Sequence, residues 1–194
     1  MKKGLVLIAL LLVSVICTNA QTLADVKKSE SLTWYGIDFS EARFLNFGAY
    51  VSDKSVKKSL PQWSYHPFGG DDIEKWKKKY KKDKLVVDIK QSGKRNDSTD
   101  FDTHMSTEPF SMDIEAIKKI VAEYDIKGDG YGLLYIVESF QNTGKTSTIW
   151  SVFINQADKT VIDAQRFTNE TYGMWTEAID HTIKQSAKQL ASAK

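Results

Sequence analysis

Residues 131–140 read YGLLYIVESF, with large apolar side chains at both alternating positions. A strand with one wet face alternates apolar and polar residues; this one does not, so it needs cover on both faces. That requirement points to a sheet with helices packed against it. Residues 146–155 follow after a hairpin-length link, with Thr148, Trp150, Val152 and Ile154 alternating against Ser147, Ser151 and Asn155. Residues 160–167 are more polar and read as an edge strand. Together these three segments predict a three-stranded antiparallel meander near the carboxyl terminus.

The rest of the chain predicts two further strands and three helices. Residues 32–39 (LTWYGIDF) and 85–89 (LVVDI) are rich in β-formers. Residues 71–82 predict a helix with Ile73, Trp76 and Tyr80 as its apolar stripe. A second helix opens at Ser111, with Ile114, Ile117, Ile120, Val121 and Tyr124 on one face. A third spans about 173–190, with Trp175, Ile179, Ile183 and Leu190 in line. Residues 52–70 hold Pro61, Pro67 and the Gly69-Gly70 pair and read as irregular. Residues 91–109 read as a long polar loop. The expected fold is α+β: a mixed sheet of about five strands, a terminal antiparallel meander, and about three helices packed on it.

The amino terminus begins Met1-Lys2-Lys3, runs apolar from Leu5 to Ile16, and ends in Cys17-Thr18-Asn19-Ala20. A positive start, a short apolar stretch and a small-residue cut site describe an export signal. The run is shorter than the about 20 apolar residues a membrane helix needs. The expected organisation is residues 1–20 as a cleaved signal peptide, 21–30 as a short tether, and 31–194 as one α+β domain. A lipoprotein signal wants a small residue before its cysteine, and Ile16 is not one, so no lipid anchor is expected at Cys17. Cleavage removes the chain's one cysteine together with Lys2 and Lys3. The 27 basic residues become 25, equal to the 25 acidic ones. The mature chain is expected to be neutral, thiol-free and periplasmic or secreted, with no transmembrane segment. Its charge lacks the basic footprint of a nucleic-acid binder, and no metal or other cofactor is expected.

Candidate chemistry is sparse. Asn142-Thr143-Gly144-Lys145-Thr146 ends like a phosphate-binding loop, but position 139 is Ser139, and a strand rather than a helix follows. Residues 125–130 begin like a calcium loop, yet Lys127 and Ile136 stand where oxygen ligands belong. Asp97, Asp100 and Asp102 cluster in a loop without the glycine such a site uses. The lysines at 75, 77, 78, 79, 81, 82 and 84 surround Trp76 and Tyr80. Lys77 and Lys78 are therefore candidates for an anionic ligand, and the alternative is the solvated face of a helix. Trp63, Tyr65, His66 and Phe68 lie in a segment bounded by proline and glycine. Exposed, they would form a sugar- or protein-binding surface; buried, they would pin the loop to the core. A hydrolase assembled from His66, Asp38 and Glu138 is the alternative to a non-catalytic envelope protein that binds a protein or glycan.

Three segments carry a resemblance: Trp34-Tyr35-Gly36-Ile37-Asp38-Phe39-Ser40, the helix around Trp76, and Trp150-Ser151-Val152-Phe153-Ile154 leading to Val161-Ile162-Asp163. Together they resemble an uncharacterised family of secreted proteins from Bacteroidota. In topology alone the chain is similar to the TolB amino-terminal domain and the periplasmic domain of the curli secretion channel. That likeness implies a binding or assembly module, and it is one of fold only.

Overall fold

The computed structural model describes residues 21–65, 72–171 and 175–194. In chain order its elements are α1 (Leu23–Lys28), β1 (Ser31–Asp38), β2 (Arg43–Leu45), α2 (Asp53–Tyr65), α3 (Asp72–Tyr80), β3 (Lys84–Val87), α4 (Lys90–Ser98), β4 (Met105–Ser106), α5 (Ile114–Ala122), β5 (Tyr131–Gln141), β6 (Thr146–Asn155), β7 (Val161–Glu170) and α6 (Trp175–Ser192). Residues 21–30, expected as a tether, carry α1, and its Val26 is fully buried.

β5 is the centre. β6 pairs antiparallel with one edge of it, from Tyr131↔Asn155 to Gln141↔Thr146, and β7 continues antiparallel beyond β6. Two strands share the other edge in tandem. β1 runs parallel to the first half of β5 and β2 runs parallel to its end, with Arg43 opposite Ser139. Outside them, β3 lies parallel to β1 and β4 lies parallel to β2. The sheet is thus five strands wide, and its two outer positions on the β1 side are each broken once.

This corrects the expected sheet of about five strands with a terminal antiparallel meander and about three helices. The described residues form seven strands and six α-helices, and the path β3-β1-β5-β2-β4 is parallel throughout. β5 does not open a separate terminal meander; it is the middle of that parallel body, which is why both its faces are apolar. Arg43–Leu45, to which the sequence assigns no strand, form β2. Ile73, expected in the buried stripe of α3, is 39% exposed.

Two of the additional helices have physical explanations. In α2, the Ser55 backbone N–H donates to Ser52 Oγ at 3.3 Å and Val56 N–H donates to the Ser52 carbonyl. Val56, Leu60 and Trp63 make its short stripe. Pro61 lies inside the helix and has no N–H to donate; aromatic packing compensates, with Trp63 centred 4.6 Å from Trp175 and 5.8 Å from Phe39. In α4 the buried residues are Ser92 and Asn96. That helix lies directly on the backbone of β1, where Gly36 has φ +94° and a Cβ would collide with Ser92 Oγ.

The two faces are covered unequally. On one, Trp34, Tyr135, Val137 and Phe153 pack under Ile179, Ile183 and Leu190 of α6, with Trp76, Tyr80, Val56 and Leu60 from α3 and α2. Each such fully buried side chain contributes about 1.5–3 kcal/mol. On the other, Leu134, Ile136, Val152 and Ile154 pack under Ile117, Ile120 and Val121 of α5. Nine helical residues reach only about 13 Å, against about 34 Å for a ten-residue strand. The end of the sheet beyond α5 is therefore covered by loop alone, and there the side chains turn polar.

Candidate functional site

Two polar constellations sit at the carboxyl ends of the parallel strands, where open α/β sheets place their ligands. The first fills the break in the outer strands. Asp38, 1% exposed, ends β1. Its Oδ2 accepts from Arg95 Nε at 2.8 Å and from the Tyr124 hydroxyl at 2.7 Å; its Oδ1 accepts from Ser40 N–H at 2.8 Å. Arg95 also pairs with Glu123 and donates to Ser40 Oγ. Burial, reinforced by the Asp38 charge, pushes the Tyr124 hydroxyl well above its ordinary range. Burial opposes the Arg95 charge, but Asp38 and Glu123 outweigh it and keep the guanidinium protonated.

Next to Arg95, Asn96 completes the break. Its Nδ2 donates to the Ile37 carbonyl at 2.9 Å and its Oδ1 accepts from Phe39 N–H at 2.7 Å. A residue opposite Asp38 in a parallel ladder would make this same pair of bonds with its backbone. The side-chain amide therefore stands in for the strand residue missing between β3 and β4, and β2 can resume the sheet beyond it.

The second constellation is a half-open cavity of about 350 Å³ on the face that α5 leaves bare. Its floor follows from register. Arg43 of β2 is opposite Ser139 of β5, Ser139 opposite Thr148 of β6, and Thr148 opposite Thr168 of β7. Residues in register point to one face, so a polar row crosses four strands; of that row Ser139, Thr148 and Thr168 line the cavity, and the Thr148 and Thr168 hydroxyls lie 3.1 Å apart. Gln141 and Thr146 extend the floor, and Leu45, Pro109 and Phe110 wall it.

At its side, β5 bulges. Val137 pairs with Ile149 and Ser139 with Thr148, leaving Glu138 as the extra residue. Glu138 is fully buried. Its Oε1 accepts from Arg166 Nη2 at 2.6 Å, and its Oε2 accepts from Arg166 Nε at 2.9 Å and Trp150 Nε1 at 2.8 Å. The bond to Glu138 raises the Arg166 pKa further and fixes the guanidinium plane, so Arg166 enters the cavity wall already oriented.

Phe110 also borders a second cavity, of about 430 Å³, where Glu41, Asp113 and Glu123 surround Met112 and Ile120. Asp113 is occupied as the cap of α5, accepting from Ala116 N–H at 2.8 Å.

The residues singled out in the sequence are dispersed. Trp63 is half-buried in the aromatic cluster under α6. The backbone of Tyr65 ends α2, but its side chain, like His66 and Phe68, lies outside the described residues. Lys77 pairs with Glu74 at 3.0 Å on α3, and Lys78 is exposed beside it. Lys82 is 5% exposed, with its ammonium donating to the carbonyls of Val26 and Ser29 at the end of α1. His104 Nδ1 donates to the Ala42 carbonyl, 3.0 Å away, and burial followed by the Arg43 charge lowers its pKa. His181 is exposed. Asp100 accepts from Asp102 N–H, and Asp102 accepts from Asp53 N–H; among the described residues no group of three His, Cys, Asp or Glu is placed to hold a metal. Sequence reasoning missed Ser139, Gln141, Thr148, Arg166 and Thr168 as a group. The one available signal was Glu138, a carboxylate in an apolar strand that requires a buried donor. Among the described residues no helix is long and apolar enough to cross a membrane. No family model, curated protein or solved structure matches the chain.

Proposed function

We propose that this chain is an exported, non-catalytic envelope protein that binds a glycan in the cavity at the end of β5. One observation carries the reading: eight of the eleven residues lining that cavity bear hydrogen-bonding side chains, set against the flat wall of Phe110. Hydroxyls and amides match a ligand that is itself a surface of hydroxyls, and an aromatic wall suits the apolar face of a sugar ring. The volume falls at the small end of the roughly 300–1,000 Å³ range of ligand cavities. Export rests on the sequence of residues 1–20.

The state of the two buried carboxylates favours binding over the hydrolase alternative. Each oxygen of Asp38 and Glu138 already accepts from at least one fixed donor, and each acid lies beside its own arginine. A general acid or base needs a free oxygen within reach of its substrate.

A glycan array followed by calorimetry tests the proposal. We expect saturable binding that falls about tenfold or more in Gln141→Ala and Thr148→Val, the scale of one or two lost hydrogen bonds. No bound glycan across the array, or binding untouched by both substitutions, would overturn it.

A further inference from the structure

The lining of the cavity at the end of β5 carries no unbalanced charge. Among the described residues that line it, Arg166 alone ionises. Its side chain is 42% exposed, and Glu138 lies directly behind it, fully buried. The two Glu138 oxygens accept from Arg166 Nη2 at 2.6 Å and from Nε at 2.9 Å. The carboxylate leaves Arg166 its remaining N–H donors but cancels the charge. Seen from the cavity the pair is a dipole rather than a cation, so an anion gains much less from it than from an arginine alone. Arg43 continues the row beyond Ser139 but does not line the cavity; its guanidinium carbon lies 5.0 Å from the centre of the Phe110 ring.

The other hydrogen-bonding side chains of the lining are hydroxyls and primary amides, and each both donates and accepts. Thr148 and Thr168 show the consequence. One hydroxyl donates to the other across 3.1 Å, so the pair presents one free O–H beside open lone pairs. A sugar hydroxyl also does both and can meet either. A carboxylate or sulfate only accepts and an ammonium only donates. Either would face groups of its own kind and would lose hydration with no counter-charge in return. We infer that the ligand is an uncharged saccharide, whose hydroxyls lie along Ser139, Thr148 and Thr168 while Arg166 donates to one of its oxygens as an oriented, neutralised group. This rests on the glycan reading above and names the class of sugar.

Calorimetry with matched pairs tests it on residues 21–194. One pair is trigalacturonic acid and its methyl ester, which keeps the ring hydroxyls and removes the negative charge. The other is chitotriose and its fully deacetylated form, which carries positive charge. The expected result is that an uncharged member binds, and does so about tenfold or more tightly than its charged partner, as the cost of stripping water from an unpaired charge requires. Glu138→Gln keeps an oxygen for Trp150 Nε1 but leaves the Arg166 charge unbalanced. It should move the ratio of acid to ester affinity about tenfold or more toward the acid, the scale of a charge-assisted hydrogen bond. A charged member that binds as tightly as its uncharged partner, no binding by either uncharged trisaccharide, or a ratio that Glu138→Gln leaves unmoved would overturn the inference. The glycan reading is judged separately by the array: charged sugars bound alone would sink only the inference, and no sugar bound would sink both. The wild-type pairs need no variant, so they decide even if Glu138→Gln fails to fold.

Discussion

Asn96→Ala removes both arms of the amide that replaces a strand residue. The abandoned groups are the Ile37 carbonyl and the Phe39 N–H, held at 2.9 Å and 2.7 Å in the wild type. Ile37 is 1% exposed and Phe39 fully buried, so water does not reach them freely. Each buried backbone group left unsatisfied costs about 1–3 kcal/mol. With some relief from water entering the vacated space, the two together should cost about 3 kcal/mol. For a domain of this size each kcal/mol shifts the melting midpoint by roughly 2–4 °C, so the expected drop is about 6–12 °C. Thermal melting by circular dichroism, with urea unfolding for the free energy, reads this directly. Asn96→Asp separates hydrogen bonding from packing. It keeps the acceptor for Phe39 but, when ionised, loses the donor for Ile37; protonation restores an O–H donor. Burial raises the folded-state pKa of that new carboxyl, so its stabilisation is present at low pH and lost as pH rises. The deficit relative to wild type should therefore be larger at pH 7 than at pH 5. An Asn96→Ala midpoint within about 1 °C of wild type, or an Asn96→Asp deficit that ignores pH, would refute the reasoning.

Two further perturbations bear on the scaffold. Gly36→Ala adds a Cβ that collides with Ser92 Oγ at a φ of +94°, and should cost about 2–4 kcal/mol in urea unfolding; Ser92→Gly should recover the collision but not the backbone strain, and full recovery would contradict the φ argument. Burial pushes the Lys82 ammonium down to about 8, from an ordinary 10.5. Between those values the unfolded chain binds more protons than the folded one, so this group makes stability rise with pH across the window. Lys82→Met should abolish that rise and speed hydrogen exchange in residues 23–28, whose helix end Lys82 holds; identical pH slopes in the two proteins would contradict it.

Elements with apolar periodicity are plain in the sequence. Residues 131–140 and 146–155 read as strands, and the stripes around Trp76, Ile117 and Ile183 read as helices. The helix α4 was not legible, because its buried face is Ser92 and Asn96 and it packs on a glycine backbone rather than in an oily groove. Nor was α2, whose stripe of Val56, Leu60 and Trp63 is interrupted by Pro61. Parallel pairing leaves no local mark: nothing near Arg43 shows that it will lie opposite Ser139. The cavity inherits that blindness. Ser139, Thr148 and Thr168 look like ordinary polar strand residues until register places them in one row. Glu138 is the exception, since a carboxylate inside an apolar strand announces a buried partner wherever the chain folds.

Chemical-shift mapping of residues 21–194, titrated with the tightest-binding glycan from the array, tests the central claim most directly. The account predicts saturable shifts confined to Ser139, Gln141, Thr148, Thr168 and their neighbours, together with the side-chain N–H signals of Arg166. Shifts centred on the Lys77 and Lys78 face of α3, or on Asp38 and Arg95 with the β5–β7 row unmoved, would contradict it.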